Sequence, residues 1–277
     1  MSTMAMGVPS SPVPSSVMTG VADHVPPIAA VRQSLTMAGR GLLRLKHNPQ
    51  QLFDVIVLPI VFTVMFSSIF GGAIAGDVDA YLPILIPGVL VQVAVAASVT
   101  TGVGLREDMD SGVFDRFTSL PIARIAPLAG ALLANTVRYV VATSVTIVVG
   151  LVMGYRPGSP MGLVVAALLI VVVAFTLSWI FALLGVVMST ASGVQGLSML
   201  VLMPLTFVSN ALVPTATMPG WMQAVAEVNP VSHLVSAVRT LADHGAIGAD
   251  VGWSLLGAAA VLAVFVPLTL RAYLRSP

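Results

Sequence analysis

Cysteine is absent from the 277-residue chain, and lysine occurs once, at Lys46. A chain without thiols forms no disulfide, performs no thiol chemistry and lends no thiolate to a metal. A lone lysine not preceded by glycine leaves no Walker A loop, so nucleotide hydrolysis by the P-loop route is excluded and an enzyme is not expected. Charge is scarce too: Asp, Glu, Lys and Arg make up 8% of the residues, where a soluble domain carries roughly a quarter. The net charge of +1 comes with no basic face of the kind a nucleic-acid partner requires. His24, His47, His233 and His244 are dispersed without metal-ligand spacing, so no metal is expected. What fills the chain is hydrophobic, 57% of residues at a mean hydropathy of +1.00, which marks an integral membrane protein.

Six apolar stretches are long enough to be considered against the roughly 20 residues that a membrane helix needs. They lie near residues 53–71, 82–104, 126–154, 162–188, 196–213 and 253–270. The third has enough length to tilt or to project past the bilayer. Residues 1–26, rich in Ser, Pro and Val with no apolar run, predict a disordered cytoplasmic tail and no cleaved signal peptide. Residues 27–277 then make one six-span domain. At its start, Ile28, Val31, Leu35, Leu42 and Leu45 can share one face of a helix that Arg32, Arg40, Arg44 and Lys46 decorate. Either that helix lies in the membrane interface, or its cations serve only as a topology signal. With six spans, these cations fall on the same side as Arg106, Arg116, Arg124, Arg271 and Arg275. The opposite side holds only Arg156 and Arg239, beside Asp77, Asp79, Glu227, Asp243 and Asp250. The bias toward basic residues inside places both termini in the cytoplasm.

Residues 105–124, LREDMDSGVFDRFTSLPIAR, form the long charged interlude between spans. Met109, Val113, Phe117 and Leu120 fall at i, i+4, i+8 and i+11, which predicts a short amphipathic helix that Pro121 stops. Glu107, Asp108 and Asp110 stand at its start, suiting the helix dipole. Its apolar face needs either a partner protein or the bilayer surface. An anionic inner leaflet repels that acidic rim, which favours a protein groove.

Residues 214–245 are the second irregular stretch. Pro219 can open a helix, Asn229-Pro230 breaks it, and a second amphipathic helix runs to about Asp243. Neither is long enough to span, and Trp221 suits the interface, so two short helices dipping in from the outer side are expected. Within the spans, Arg138 reads as a structural cation, paired with Asp54 or snorkelling inward, with substrate handling as the alternative. Phe62, Phe66, Gln92, Phe207 and Asn210 are candidates for a translocation path. Lipid contact for the phenylalanines and interhelical hydrogen bonding for Gln92 and Asn210 are the plainer alternatives. Gly150 and Gly154 are spaced for close helix packing.

Two motifs carry a family resemblance. REDMDSGVFDRFTSLPIAR, residues 106–124, has an acidic start, a central glycine, an arginine and a later proline at Glu107, Gly112, Arg116 and Pro121. MPGWMQAVAEVNPVSHLVSAVRTL, residues 218–241, carries Pro219, Trp221, Gln223, Asn229, Pro230, Ser232 and Arg239. Together, in this order of elements over residues 28–275, they resemble the membrane subunit of a type-2 ABC exporter of the daunorubicin-resistance permease kind. The resemblance implies a half-transporter that pairs with a second permease copy or a related permease in the plasma membrane. It also implies a separate ABC ATPase subunit, which binds ATP and Mg while this chain binds no cofactor. Residues 105–124 would be the coupling helix, with Met109, Val113, Phe114 and Phe117 anchoring the contact and Arg116 pairing with an acidic group of the ATPase. The outer helices would close the exit. The expected cargo is a hydrophobic or amphiphilic, drug-like molecule, with a lipid or polysaccharide precursor as the alternative on the same scaffold. An ion-driven secondary transporter would want mid-membrane carboxylates or histidines, and the spans offer none convincingly.

Overall fold

The computed structural model describes residues 32–39, 49–112 and 125–275, and among the described residues there is no strand. In chain order the helices are α1 (32–39), α2 (Pro49–Phe70, prolonged by a π-helical turn Gly71–Ala75), α3 (Val78–Asp110) and α4 (Ala126–Val152). Then follow α5 (Pro160–Val187), α6 (Ala191–Phe207), a 3-10 turn Thr215–Thr217, α7 (Gly220–Val228), α8 (Pro230–His244) and α9 (Ala249–Arg275). Five of these stretches are long and apolar enough to cross a membrane: Val55–Ala75, α3, α4, α5 and α9.

The bundle is built around α3. Asp77 starts it, its carboxylate accepting the Ala80 N–H at 2.7 Å. Some 67% of its most apolar window is buried by protein, against 17% for α9, so α3 is the central post and α9 a peripheral one. Lipid tails are as apolar as leucine, so helices in a bilayer associate through close fit rather than through burial from water. Glycine supplies that fit here. A Cβ at Gly102 of α3 would lie 2.1 Å from the Phe181 carbonyl oxygen of α5, and one at Gly185 would lie 2.4 Å from the Gly102 oxygen. The two backbones therefore touch. Beside this crossing, the buried Tyr139 hydroxyl of α4 and Thr101 Oγ1 of α3 share a hydrogen bond of 2.9 Å.

At the other end, α8 lies against the start of α5. Ser159 N–H donates to the Ala242 carbonyl at 2.9 Å, and a Cβ at Gly162 would come within 1.9 Å of the Leu241 oxygen. Of the glycines spaced for helix packing, only Gly150 packs, against Ile86. Gly154, at φ +108, instead ends α4 in a conformation that a side chain would strain.

Two expected elements are corrected. The fifth span, expected over 196–213, is the 17-residue α6, which begins earlier and stops sooner. Thr190 starts it, its Oγ1 accepting the Gly193 N–H at 3.1 Å, and Val208 leaves helical geometry at φ −91, ψ 54. This helix runs antiparallel to α3. Arg106, near the end of α3, donates to the Met188 carbonyl just before α6, while Gly88, early in α3, abuts Ala211 just after it. Those two levels are 18 residues apart on α3 (106 − 88), about 27 Å.

The second correction concerns the charged interlude. Residues 105–110 are the last turns of α3 and not the start of a separate helix. The break comes at Ser111–Gly112, with Gly112 at φ +67. A regular apolar spacing does not register such a break. The predicted tail and residues 113–124 lie outside the described residues. Of the predicted 27–47 helix only α1 is described. It packs at Met37 against Gly130 of α4, with Ser34 and Ala38 buried and Leu35, 59% exposed, turned away.

Candidate functional site

The C-terminal end of α3 is organised by Arg106. Its Nε donates to Asp110 Oδ1 at 2.9 Å, its Nη2 pairs with the same oxygen, and its Nη1 donates to the Met188 carbonyl at 3.0 Å. One guanidinium thus joins the end of α3 to the link between α5 and α6. Asp110 is held below the usual carboxylate range by that hydrogen bond and the charge behind it. Glu107 is exposed, as a contact residue must be. Met109 is half-buried instead, packed on a small inner cluster of Leu105, Leu128, Leu132, Ala182, Val186 and Tyr273. It is an internal packing residue at least as much as an anchor for a partner. Val113, Phe114, Arg116, Phe117 and Pro121 lie outside the described residues.

The opposite end of α3 is the more fully built of the two. Pro219 stands immediately before α7, and Trp221 is 67% exposed on it. Pro230 opens α8 one residue after α7 has ended. Between them sits Asn229, buried, with its Nδ2 donating to the carbonyls of Leu205 and Val208 at 2.7 and 2.6 Å. Its Oδ1 accepts the Val231 N–H at 2.9 Å. Arg239 of α8 performs a similar bridging with Nη2, donating to Ile84 of α3 at 3.1 Å and to Asn210 at 3.2 Å, both through carbonyl oxygens. Tyr81 donates its hydroxyl proton to the Leu212 carbonyl at 2.7 Å. The non-helical turn 208–213 is thereby stitched on two sides, to α3 and to the α7–α8 hairpin. Nearby, the Tyr155 hydroxyl is pushed up to about 12, chiefly by burial and then by the Asp243 charge. On the far side of α8, His233 Nδ1 lies 2.8 Å from Asp250 Oδ1 of α9, with its ring stacked at 6.3 Å over Trp253.

The path candidates are dispersed over the bundle. Phe62 and Phe66 stack at 5.5 Å and continue to Phe70 at 5.6 Å along α2, with Phe66 and Phe70 against the main core. Phe207 stands exposed at the end of α6, and Gln92 is half-buried in α3. Asn210 is committed elsewhere: its Nδ2 donates to Ser236 Oγ at 2.8 Å and its carbonyl accepts from Arg239. It helps to hold the turn together. Arg138 is buried within α4, and the side chain of Asp54, its expected partner, lies outside the described residues. Among the described residues no group of three metal-ligating side chains occurs. The sequence pointed to Asn229 as a helix breaker and a member of the second motif. Its donor role was not visible, because the carbonyls it takes lie 24 and 21 residues earlier in the chain.

The ABC-2 type transporter family model matches residues 32–242, which run from α1 nearly to the end of α8. The chain belongs to the ABC-2 type transporter family. Two relatives extend the match. One, the daunorubicin resistance ABC transporter permease protein DrrB1 of Streptomyces coeruleorubidus, is 45% identical over 246 residues, covering 88% of this chain and 87% of the relative. The other, described as a probable doxorubicin resistance ABC transporter permease protein DrrC of Mycobacterium tuberculosis, is 27% identical over 221 residues, covering 78% and 79%. As an ABC-2 protein the chain is a multi-pass membrane subunit, and both ends of α3 described above fall inside the matched stretch. Only α9 stands beyond it.

Proposed function

We propose that this chain is the membrane subunit of an ATP-driven exporter, powered by a separate ABC ATPase and paired with a second permease copy. In this reading α6 and the turn after it make the sixth crossing, and both termini lie in the cytoplasm. The observation that carries the proposal is the continuity of α3. One unbroken helix of 33 residues runs from the stitched outer turn, at Tyr81, Ile84 and Gly88, to the charged inner end at Arg106–Asp110. A push on residues 105–124 is then passed along a rod to the exit. ATP binding closes the ATPases, displaces that stretch and shifts the bundle from inward- to outward-open.

The cargo in this reading is a hydrophobic or amphiphilic, drug-like molecule. The names of the two relatives, which refer to daunorubicin and doxorubicin resistance, support it. The test is ATP-dependent accumulation of doxorubicin in inside-out vesicles that contain the chain and its ATPase, followed by fluorescence quenching. Accumulation is expected with the wild type and background levels with Phe117→Asp. Equal accumulation by the two chains at equal expression contradicts the coupling role.

A further inference from the structure

Asn229 is the single residue between α7 and α8, and it is 4% exposed although its neighbours Val228 and Pro230 are exposed. Its carboxamide can take only one orientation. Turned over, its oxygen would face the carbonyls of Leu205 and Val208, and its NH2 would face the Val231 N–H. The two carbonyls it receives belong to the end of α6, where a helix leaves acceptors without partners. Just after that end, Ala211 lies against Gly88 of α3. The Oδ1 contact is different in kind: it caps the start of α8, which any Asn, Asp, Ser or Thr can do.

We propose that Asn229 is the positioning residue that latches the exit, and that release of its two Nδ2 hydrogen bonds is the step that frees the turn 208–213. This rests on the exporter reading above and names the contact that holds its outer end closed. The remaining ties of the turn, from Tyr81, Gly88, Arg239 and the Asn210–Ser236 hydrogen bond, fasten it to α3 and to the body of α8 and not to the junction between α7 and α8. Asn229 alone ties the end of α6 to the hinge of the hairpin, across a junction one residue long. The cap and the latch are separable by chemistry. Asn229→Asp keeps the acceptor for Val231 and sets carboxylate oxygens against the two carbonyls. Asn229→Ser keeps the cap and loses the reach.

Because the chain has no cysteine, Ser209→Cys introduces its only thiol, at a side chain 2% exposed in the closed turn. A membrane-impermeant maleimide is added to intact cells expressing the full chain, with and without its ATPase. The Asn229 parent is expected to label slowly at rest. Asn229→Asp and Asn229→Ser are expected to label at least about tenfold faster, the change that two lost hydrogen bonds of ordinary net strength produce in an opening equilibrium. If both cap-preserving variants purify as monodisperse protein and label at the parental rate, the latch is refuted. Should neither variant fold, the parent decides: vanadate-trapped complex must label faster than the resting complex, and equal rates refute the latch. Failure of the exporter reading is a different result, absence of bound ATPase, and it leaves the resting comparison intact.

Discussion

Two arginines at opposite ends of α3 each donate to backbone carbonyls outside their own helix. Arg239 donates to Ile84 and Asn210, and removing it takes a donor from both carbonyls and leaves that of Asn210, in the non-helical turn, without this partner. Arg239→Met should lower stability by about 1–3 kcal/mol, read as a fall in melting temperature of detergent-solubilised protein. Arg239→Lys should recover little of it, because a compact ammonium lacks the planar fork. Arg106 differs in being half-buried, with its effect tied to the protonation of Asp110. The Asp110 carboxyl titrates lower in the folded chain than in the unfolded one, so its pairing contributes fully above the unfolded value and is lost as pH falls through the folded value. Melting temperatures of wild type and Asp110→Asn should therefore differ near neutral pH and converge in acid, once the pH has fallen through the folded value. A constant difference across that range contradicts the pairing.

Among the elements, the long helices were legible because a bilayer demands continuous apolar length, and composition reports that directly. Where the sequence misled, the cause was a backbone event that leaves the apolar pattern intact. The spacing of Met109, Val113 and Phe117 continues through Gly112, yet the chain turns there at φ +67. The apolar residues 208–213 continue α6 in composition, yet side chains from distant parts of the chain hold them in a turn. Asn229, Arg239 and Trp221 stood out within their motif, whereas Tyr81 and Ser236 did not, since an isolated Tyr or Ser in an apolar run carries no positional signal. The glycines separate by neighbourhood in the same way. Gly102→Ala drives a methyl into the Phe181 backbone and should cost about 1–3 kcal/mol by overpacking. Gly104→Ala, two residues away in open space, should be neutral or stabilising by about 1 kcal/mol. Fluorescence-detected size-exclusion after a heating series distinguishes the two.

At the scale of the whole molecule, α3 is a central post with a charged C-terminal end and a stitched N-terminal end, within a bundle whose helices meet at glycine and hydroxyl contacts. In the proposed exporter reading a chain without its own nucleotide-binding loop takes its work from a separate ATPase, so association with that subunit is the claim on which the rest depends. The most direct measurement is co-purification of the affinity-tagged chain with its co-expressed ABC ATPase subunit from membranes, comparing wild type with Phe117→Asp. The account predicts a stoichiometric ATPase band with the wild type and its loss from an equally well-folded variant. Absence of the ATPase from the wild-type preparation under every nucleotide condition would contradict it.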